Sequence, residues 1–116
     1  LLATDLAALQ VYVKALGASS YYRGREKEYR VLRSLRSEGW LCSRSAASHS
    51  PADIFAAKDG HVLIIQVKSG RARVSGKEKE TLRAWGKAYG ARVEIWHFKG
   101  RKGIEREVVC ECSRHG

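Results

Sequence analysis

Proline, cysteine and long apolar runs are all scarce in this sequence. One Pro and 11 Gly among 116 residues, with 44% hydrophobic residues, do not match a disordered or collagen-like chain. No apolar run approaches the roughly 20 residues that a bilayer-spanning helix needs, and no signal-peptide pattern opens the chain. We therefore expect one globular domain that is cytoplasmic and does not associate with a membrane.

The three cysteines are Cys42, Cys110 and Cys112, an odd number that does not suggest a disulfide framework. In a chain without a secretory signal we expect them to be reduced thiols. Cys110, Cys112 and His115 resemble a fragment of a metal site, but a structural zinc site takes four ligands. We therefore favour a strand that ends in two small apolar side chains.

Acidic residues are few as well: 12 Asp and Glu stand against 22 Lys and Arg, which gives a formal net charge of +10. Such an excess of positive charge favours a polyanionic partner, and nucleic acid is the first candidate. An anionic membrane surface ranks lower, because the basic residues are not arranged along one amphipathic face.

Apolar spacing and capping residues predict a domain over residues 21–112, with an N-terminal extension or short helix over 1–20 and a tail over 113–116. Within the domain, helices are predicted over 23–39 and 75–90, and Ser75 followed by Glu78 forms a capping-box pair at the start of the second. Strands are predicted over 40–44, 52–57, 61–68, 92–98 and 104–110. This order indicates a mixed α/β fold, a central five-stranded sheet flanked by helices.

Polar side chains gather at one end of the predicted sheet. Gln66 and Lys68 share a face at the C-terminal end of the third strand, and a hairpin turn at 58–60 brings Asp53 level with them. Glu28 lies at helical spacing from the apolar Val31, so it projects toward the core side of its helix. An ion pair or a dipole-favoured first turn would explain Glu28 alone, and a buried polar pair beside a solvent-reaching Lys would explain the rest.

Together these groups match the needs of phosphodiester hydrolysis. Carboxylate and amide oxygens hold a hard cation such as Mg²⁺. The cation polarises the scissile phosphate and lowers the pKa of bound water, while a nearby Lys positions the attacking water.

Two segments of the chain resemble a known nuclease motif. Ser50-Pro51-Ala52-Asp53 followed by Gln66-Val67-Lys68 looks like the PD-(D/E)XK motif. The wider stretch is similar to the archaeal-type Holliday junction resolvases, through Tyr22-Arg23-Gly24, Glu28, Gly39-Trp40, Arg44-Ser45-Ala46-Ala47-Ser48 and, less sharply, Lys77 to Phe98. The resemblance implies a restriction-endonuclease-like core and a homodimer that cuts four-way DNA junctions with paired symmetric nicks, using Mg²⁺ or Mn²⁺ as a substitute.

The resemblance also assigns roles to single residues. Glu28 and Asp53 are acidic members of the active site, Gln66 takes the position of the second acid, and Lys68 is the motif lysine. With the backbone carbonyl of Val67, the first three would hold the metal. Ser45 and Ser48 lie in a loop that, in such resolvases, approaches the cleaved strand, which implies a catalytic contribution from their hydroxyls. The alternative is an ordinary loop. Phosphate contacts are implied for Arg23, Arg25 and Arg44, whose alternative is a solvated basic surface.

Gln66 departs from the usual motif, in which a Glu is more common. An amide oxygen binds Mg²⁺ but brings no negative charge, so we expect weaker metal binding than in a site with two motif acids. Because Gln retains an oxygen ligand where Leu or Ala would not, we favour a working site.

A basic cluster follows the third strand and borders the site; it is suited to tracking a DNA backbone and comprises Lys68, Arg71, Arg73, Lys77 and Lys79. Few aromatics interleave with it, which favours duplex arms over single strands. Two alternatives stay open: a nuclease of the same fold with another DNA substrate, and a non-catalytic DNA-binding module in which Gln66 marks a lost site. No recognition helix rich in Asn, Gln and Arg is evident, which disfavours sequence reading.

A junction with near two-fold symmetry must be cut on two strands, so one active site in a chain this small is not enough. A two-fold dimer would present two sites on one basic face. We expect its apolar surface to come either from Leu82, Trp85 and Tyr89 or from Trp96 and Phe98, the alternative being that these residues are ordinary core.

Overall fold

The predicted mixed α/β fold is confirmed by a computed structural model, which describes residues 19–45 and 50–113. Its two helices are α1 (Ser19–Ser37) and α2 (Gly76–Tyr89). The strands are β1 (Leu41–Arg44), β2 (Ile54–Lys58), β3 (His61–Ser69), β4 (Arg92–Phe98) and β5 (Ile104–Glu111). Neither helix of this described part has the length and hydropathy that crossing a membrane requires.

The five strands form one sheet in the order β1-β2-β3-β4-β5. Strands β3 and β4 are parallel, and the other neighbouring pairs are antiparallel. A parallel pair needs a crossover connection, which α2 supplies. Because β3 and β4 run the same way, both end at one edge of the sheet, where Ser69 lies opposite Phe98. We call this the C-terminal edge.

The helices cover opposite faces of the sheet. Helix α1 packs against β1, β2 and β3, and α2 packs against β4 and β5. The core under α1 consists of Val31, Leu32, Leu35, Ile54, Ala56, Leu63, Ile65, Trp96 and Phe98. The core under α2 consists of Ala52, Ile64, Leu82, Ala91, Val93 and Ile95. Successive residues of β3 alternate between these two cores, as the period of a strand requires.

Trp96 and Phe98 are only 5% exposed each, so the prediction that they supply a dimer surface is wrong. Long cationic side chains of α1 and β5 cover their rings. Lys27 and Arg30 lie 5.9 and 5.1 Å from the Phe98 ring, and Arg106 lies 4.1 Å from the Trp96 ring. Stacking of these cations on the aromatic faces thus completes the cover of the two rings.

A buried carboxylate supports this cover. Glu94 is 4% exposed and accepts hydrogen bonds from the indole Nε1 of Trp96 at 2.9 Å and from Nη2 of Arg106 at 2.9 Å. Burial alone would raise the pKa of Glu94, but hydrogen bonds from Arg92, Trp96 and Arg106 bring it below its ordinary value. The carboxylate therefore stays ionised and paired, as a buried charge must.

Two predicted boundaries differ from the structure. Helix α1 begins at Ser19 and not at residue 23, because no Pro or Gly interrupts residues 19–23. Strand β2 begins at Ile54 and not at Ala52, because the Ser50 hydroxyl accepts a hydrogen bond from the Ala52 N–H at 3.1 Å and turns the chain before the strand. Apart from residues 19 and 20, which belong to α1, the predicted N-terminal extension lies outside the described residues.

The prediction of three reduced thiols is wrong for one pair. Cys110 and Cys112 form a disulfide, with their Cα atoms 5.5 Å apart. The main chain leaves β5 after Glu111, and the Cys112 N–H donates to the Ala91 carbonyl at 3.1 Å, which brings the two sulfurs together. Cys42 is a free thiol. His115 lies outside the described residues.

Gly86 permits α2 to lie close to the sheet. A Cβ atom on this residue would lie 2.6 Å from Cγ2 of Val93 and 3.4 Å from Sγ of Cys110. The sheet would have to shift to accept even one methyl group.

We predict that Gly86→Ala lowers the free energy of unfolding by about 1–2 kcal/mol, since overpacking outweighs the helix propensity gained. Gly24→Ala is the matched control: no heavy atom lies within 4 Å of its added Cβ, so it should raise stability by up to about 1 kcal/mol. Urea denaturation measures both, and equal stabilisation by the two substitutions would contradict the close contact.

Candidate active site

Asp53 is fixed at the C-terminal edge by the β2–β3 hairpin. Its Oδ2 accepts a hydrogen bond from the Val67 N–H at 2.7 Å, and its own N–H donates to the Ile65 carbonyl at 2.9 Å. The register follows from a two-residue turn in which Asp59 and Gly60 have φ values of 52° and 82°, typical of type I′ hairpins. The side chain of Asp53 thus takes the place of a backbone acceptor just before the start of β2.

A second carboxylate comes from α1. Oε1 of Glu28 lies 3.2 Å from Nη1 of Arg44, the last residue of β1, and both side chains are 17% exposed. Arg44 also lies 5.4 Å from the Tyr29 ring. A hydrogen bond from Arg25 and the charge of Arg44 lower the pKa of Tyr29, so Arg25 belongs to the same group. Glu28 therefore faces the sheet, as its spacing predicts, and is also ion-paired.

Lys68 lies beside the start of α2. Its Nζ is 3.8 Å from Oε2 of Glu78. The Glu78 N–H donates to the Ser75 hydroxyl at 3.1 Å, and Oε1 of Glu78 accepts from the Ser75 N–H at 3.3 Å, so the predicted capping box is present. Sequence reasoning assigned Glu78 only a capping role. The signal that could have placed Glu78 near Lys68 is the short connection between the end of β3 and the start of α2.

Gln66 shares its face of β3 with Ile64, which is buried under α2, and the alternation of the strand places Lys68 on that same face. Gln66 itself is partly buried. The structure thus brings Gln66 and Lys68 to the end of β3 from one face, whereas Glu28 approaches from the helix on the other face. Asp53 lies between them, at the start of the neighbouring strand.

The electrostatics of this group centre on Asp53. Burial is the largest influence and, with the negative charge of Glu28, raises the pKa of Asp53 to about 6. The hydrogen bond from Val67 and the positive charges of Lys68 and Arg44 act in the opposite direction and lower this pKa. The carboxylates of Asp53 and Glu28 therefore repel each other in a partly buried position. A bound cation would relieve that repulsion.

The donor set at this site fits Mg²⁺. Among the described residues no three His, Cys, Asp or Glu side chains come together as a metal group. Asp53 and Glu28 would therefore be joined by neutral oxygen donors, the Gln66 amide and the Val67 carbonyl. All four are hard oxygen ligands, and Mg²⁺ is commonly bound through one or two carboxylates while it keeps several waters.

A family model described as "Archaeal holliday junction resolvase (hjc)" matches residues 19–111. The chain belongs to the archaeal Holliday junction resolvase family. Among solved structures it is similar to the Holliday junction resolvase Hjc of Archaeoglobus fulgidus, with a TM-score of 0.66 and 24% sequence identity over 75% of this chain and 73% of that chain. At this identity the likeness shows the fold. No curated protein matches the chain in sequence.

Of the remaining residues that the resolvase resemblance singles out, those that the structure describes lie around the same edge. The Ser45 N–H donates to the Asp53 carbonyl at 2.7 Å, so the loop after β1 begins at the site. Ser48 lies outside the described residues, as does the side chain of Arg23, whose backbone is in α1. Exposed positions in the loop after β3 and the first turn of α2 are taken by Arg71, Arg73 and Lys77.

The raised pKa of Asp53 gives stability a defined pH dependence. Its folded value of about 6 exceeds the ordinary 3.8, so the folded chain holds this proton where the unfolded chain has lost it. The contribution of this group to the free energy of unfolding is therefore largest below about pH 4 and is lost as the pH rises to about 6.

We predict that Asp53→Asn, which keeps an acceptor for the Val67 N–H, is more stable than the wild type by about 2 kcal/mol at about pH 8 and by much less at about pH 4. Urea denaturation with a chelator present measures this difference. Asp59→Asn, in an exposed turn that tolerates Asn, should show no such pH dependence. A stability difference for Asp53→Asn that is the same at both pH values would contradict the prediction.

Proposed function

We propose that this resolvase-family protein is a structure-selective endonuclease that resolves four-way DNA junctions by Mg²⁺-dependent hydrolysis with paired symmetric nicks. The observation that carries the proposal is the anchored Asp53 carboxylate, which accepts the Val67 N–H at 2.7 Å beside Glu28 and Lys68. We place this activity in the cytoplasm, in DNA recombination and repair.

Each side chain has a task that its position supports. Asp53, Glu28, the Gln66 amide and the Val67 carbonyl would hold Mg²⁺, or Mn²⁺ as a substitute. The ion, when bound, polarises the scissile phosphate and lowers the pKa of water. Lys68 orients the attacking water by hydrogen bonding, and the nearby Glu78 carboxylate holds the ammonium in place.

The arginines on the α1 side supply phosphate contacts. Arg44 is held between Glu28 and the Tyr29 ring, so its guanidinium is preoriented. Its remaining N–H donors suit a phosphate oxygen of the cleaved strand. Arg25, in the same group, extends this contact along the backbone, and the Ser45 loop begins beside it.

Cleavage of a synthetic immobile junction and of a matched linear duplex tests the proposal. The wild type should nick the junction symmetrically with Mg²⁺ and not with chelator, and leave the duplex uncut. Asp53→Asn and Lys68→Ala should each lower the rate by about 10²–10³-fold, the usual cost of one electrostatic contact in a transition state. Asp59→Asn, the same chemical change at the far turn, should cut like the wild type.

The two open alternatives give different results in this assay. Equal cutting of the duplex would support a nuclease of the same fold with another DNA substrate. Tight junction binding without cutting by any divalent ion would support a binding module with a lost site. Either result would overturn the resolvase proposal.

An apolar surface lies on the part of the sheet that α2 leaves open, and it suits contact with a second copy of the chain. Phe55 of β2 lies 5.6 Å from Tyr89 and 6.1 Å from Trp85, measured between ring centroids. Leu41 is 81% exposed and Tyr89 52% exposed. Leu82, by contrast, is core, so of the first predicted set only Trp85 and Tyr89 remain at the surface. We propose that this apolar surface is the homodimer interface, which gives two sites for two strands.

We predict that the double variant Leu41→Glu with Tyr89→Glu is monomeric in sedimentation equilibrium at concentrations where the wild type is dimeric, because four carboxylates would be buried in a two-fold interface. Ile104→Glu is the control, since Ile104 is 44% exposed but lies on β5, away from this surface. A wild-type monomer, or a dimer that the double variant leaves intact, would contradict the assignment.

A further inference from the structure

A second cationic surface lies at the C-terminal edge, beyond the groups that form the candidate active site. Strands β3 and β4 end together, and the chain segments that follow them are tied by hydrogen bonds. The Gly70 N–H donates to the Phe98 carbonyl at 3.0 Å, and Nε2 of His97 lies 2.7 Å from the Gly70 carbonyl oxygen. The loop after β3 and the turn after β4 are thereby held side by side.

These two segments enclose an open cleft of about 600 Å³. Among the described residues, its lining contains no carboxylate and consists of Gly70, Arg71, Arg73, His97, Lys99 and Lys102. A concave surface lined by one sign of charge concentrates the electrostatic potential and attracts a polyanion.

The turn after β4 is built to hold its cations in place. It is a short 3₁₀ helix over Gly100–Lys102, flanked by Gly103 with a φ of 84°. The Lys99 N–H donates to the Gly103 carbonyl at 2.8 Å, and the Lys102 N–H donates to the Lys99 carbonyl at 3.2 Å. Lys99 is oriented by Glu105 at 2.7 Å, whereas Arg101 and Lys102 are exposed. A hydrogen-bonded turn therefore presents two cations outward.

Cations on the other face of the sheet extend this surface. Lys27 and Arg30 of α1 stack on Phe98, which pairs with Ser69 at the same edge. Their ammonium and guanidinium groups therefore lie near the end of β4 on the α1 side, and the cleft lies near it on the α2 side. Positive charge thus surrounds the end of β4.

We propose that the turn after β4, with Arg71 and Arg73, binds the phosphate backbone of a duplex arm that extends from the cleavage site. The inference rests on the proposed function and adds a contact to it: the arm passes from the end of β3 to the end of β4. A single strand is disfavoured as the occupant because no Phe, Tyr or Trp side chain lines the described cleft for base stacking, and the ring of His97 is tied to the Gly70 carbonyl. A membrane surface is disfavoured because the cations line a concave edge and not one face of a helix.

Junction binding by the double variant Arg101→Ala with Lys102→Ala tests this contact. Fluorescence anisotropy would be measured over a range of salt concentrations with two junctions, one with long arms and one with arms trimmed to a few base pairs. For long arms we expect about 10-fold weaker binding at low salt and a salt slope reduced by about 1.8, since each lost phosphate contact removes about 0.9. Short-armed junctions should be bound as by the wild type, and the cleavage rate at saturation should be unchanged.

Arg83→Ala with Lys87→Ala is the matched control. It removes the same two charges from exposed positions on α2, toward the end of the helix that lies away from the C-terminal edge. The control should leave the salt slope for long-armed junctions close to that of the wild type. An equal loss in both double variants would show only a general effect of net charge and would overturn the proposal. So would an unchanged salt slope in the turn variant, or an equal loss for long and short arms.

The failure of this inference is distinguishable from the failure of the proposed function. If the wild type cuts junctions and the turn variant binds them normally, the arm contact is wrong and the resolvase activity stands. If the wild type does not cut junctions but the turn variant lowers the salt slope on a linear duplex, the phosphate contact stands and the resolvase proposal fails.

Discussion

One hydrogen bond, from the Val67 N–H to Oδ2 of Asp53, fixes the carboxylate on which the candidate active site depends. It exists because a two-residue turn fixes the register of β2 against β3, so that Asp53 lies opposite the backbone of the next strand. The bond satisfies an N–H group that the ladder would otherwise leave without an acceptor. It also holds a carboxylate in a partly buried position where burial raises its pKa to about 6. Folding therefore places the negative charge of Asp53 in partly buried surroundings that disfavour it, and a bound cation would stabilise that charge.

The parallel pairing of β3 with β4 determines what surrounds this carboxylate. A crossover through α2 returns the chain to the sheet, so the N-terminus of α2 and the ends of β3 and β4 lie at one edge. That arrangement brings Glu78 to Lys68 and places two basic segments side by side. Binding sites of open α/β sheets generally lie outside the carboxyl ends of parallel strands, and the same geometry applies here.

Much of this fold could be predicted from local patterns. The capping box of Ser75 with Glu78, the alternation of β3 and the turn at Asp59-Gly60 are all encoded within a few residues, and each is present. The position of Asp53 beside the end of β3 followed from that turn. The metal ligation by Asp53, Gln66 and Glu28 stays a prediction, since it concerns a bound state.

Other features depend on contacts between residues far apart in sequence. Nothing in the alternation of β4 indicates that Lys27, Arg30 and Arg106 cover its aromatic rings, because a strand pattern does not show which side chains of other elements lie over it. The Cys110–Cys112 pair depends on how the chain leaves β5. The proximity of Lys68 to Glu78 depends on the crossover, which hydrophobic periodicity alone does not reveal.

We propose that Asp53, beside Glu28 and Gln66, is a cation-binding carboxylate, and its raised pKa of about 6 means that a bound cation displaces a proton near that pH. Titration calorimetry with Mn²⁺ at about pH 6, in two buffers of different ionisation enthalpy, tests it directly, because binding to a protonated ligand must release protons. The wild type should bind Mn²⁺ with release of a fraction of a proton, and Asp53→Asn should abolish both the binding and the release. Binding that Asp53→Asn leaves unchanged would contradict it.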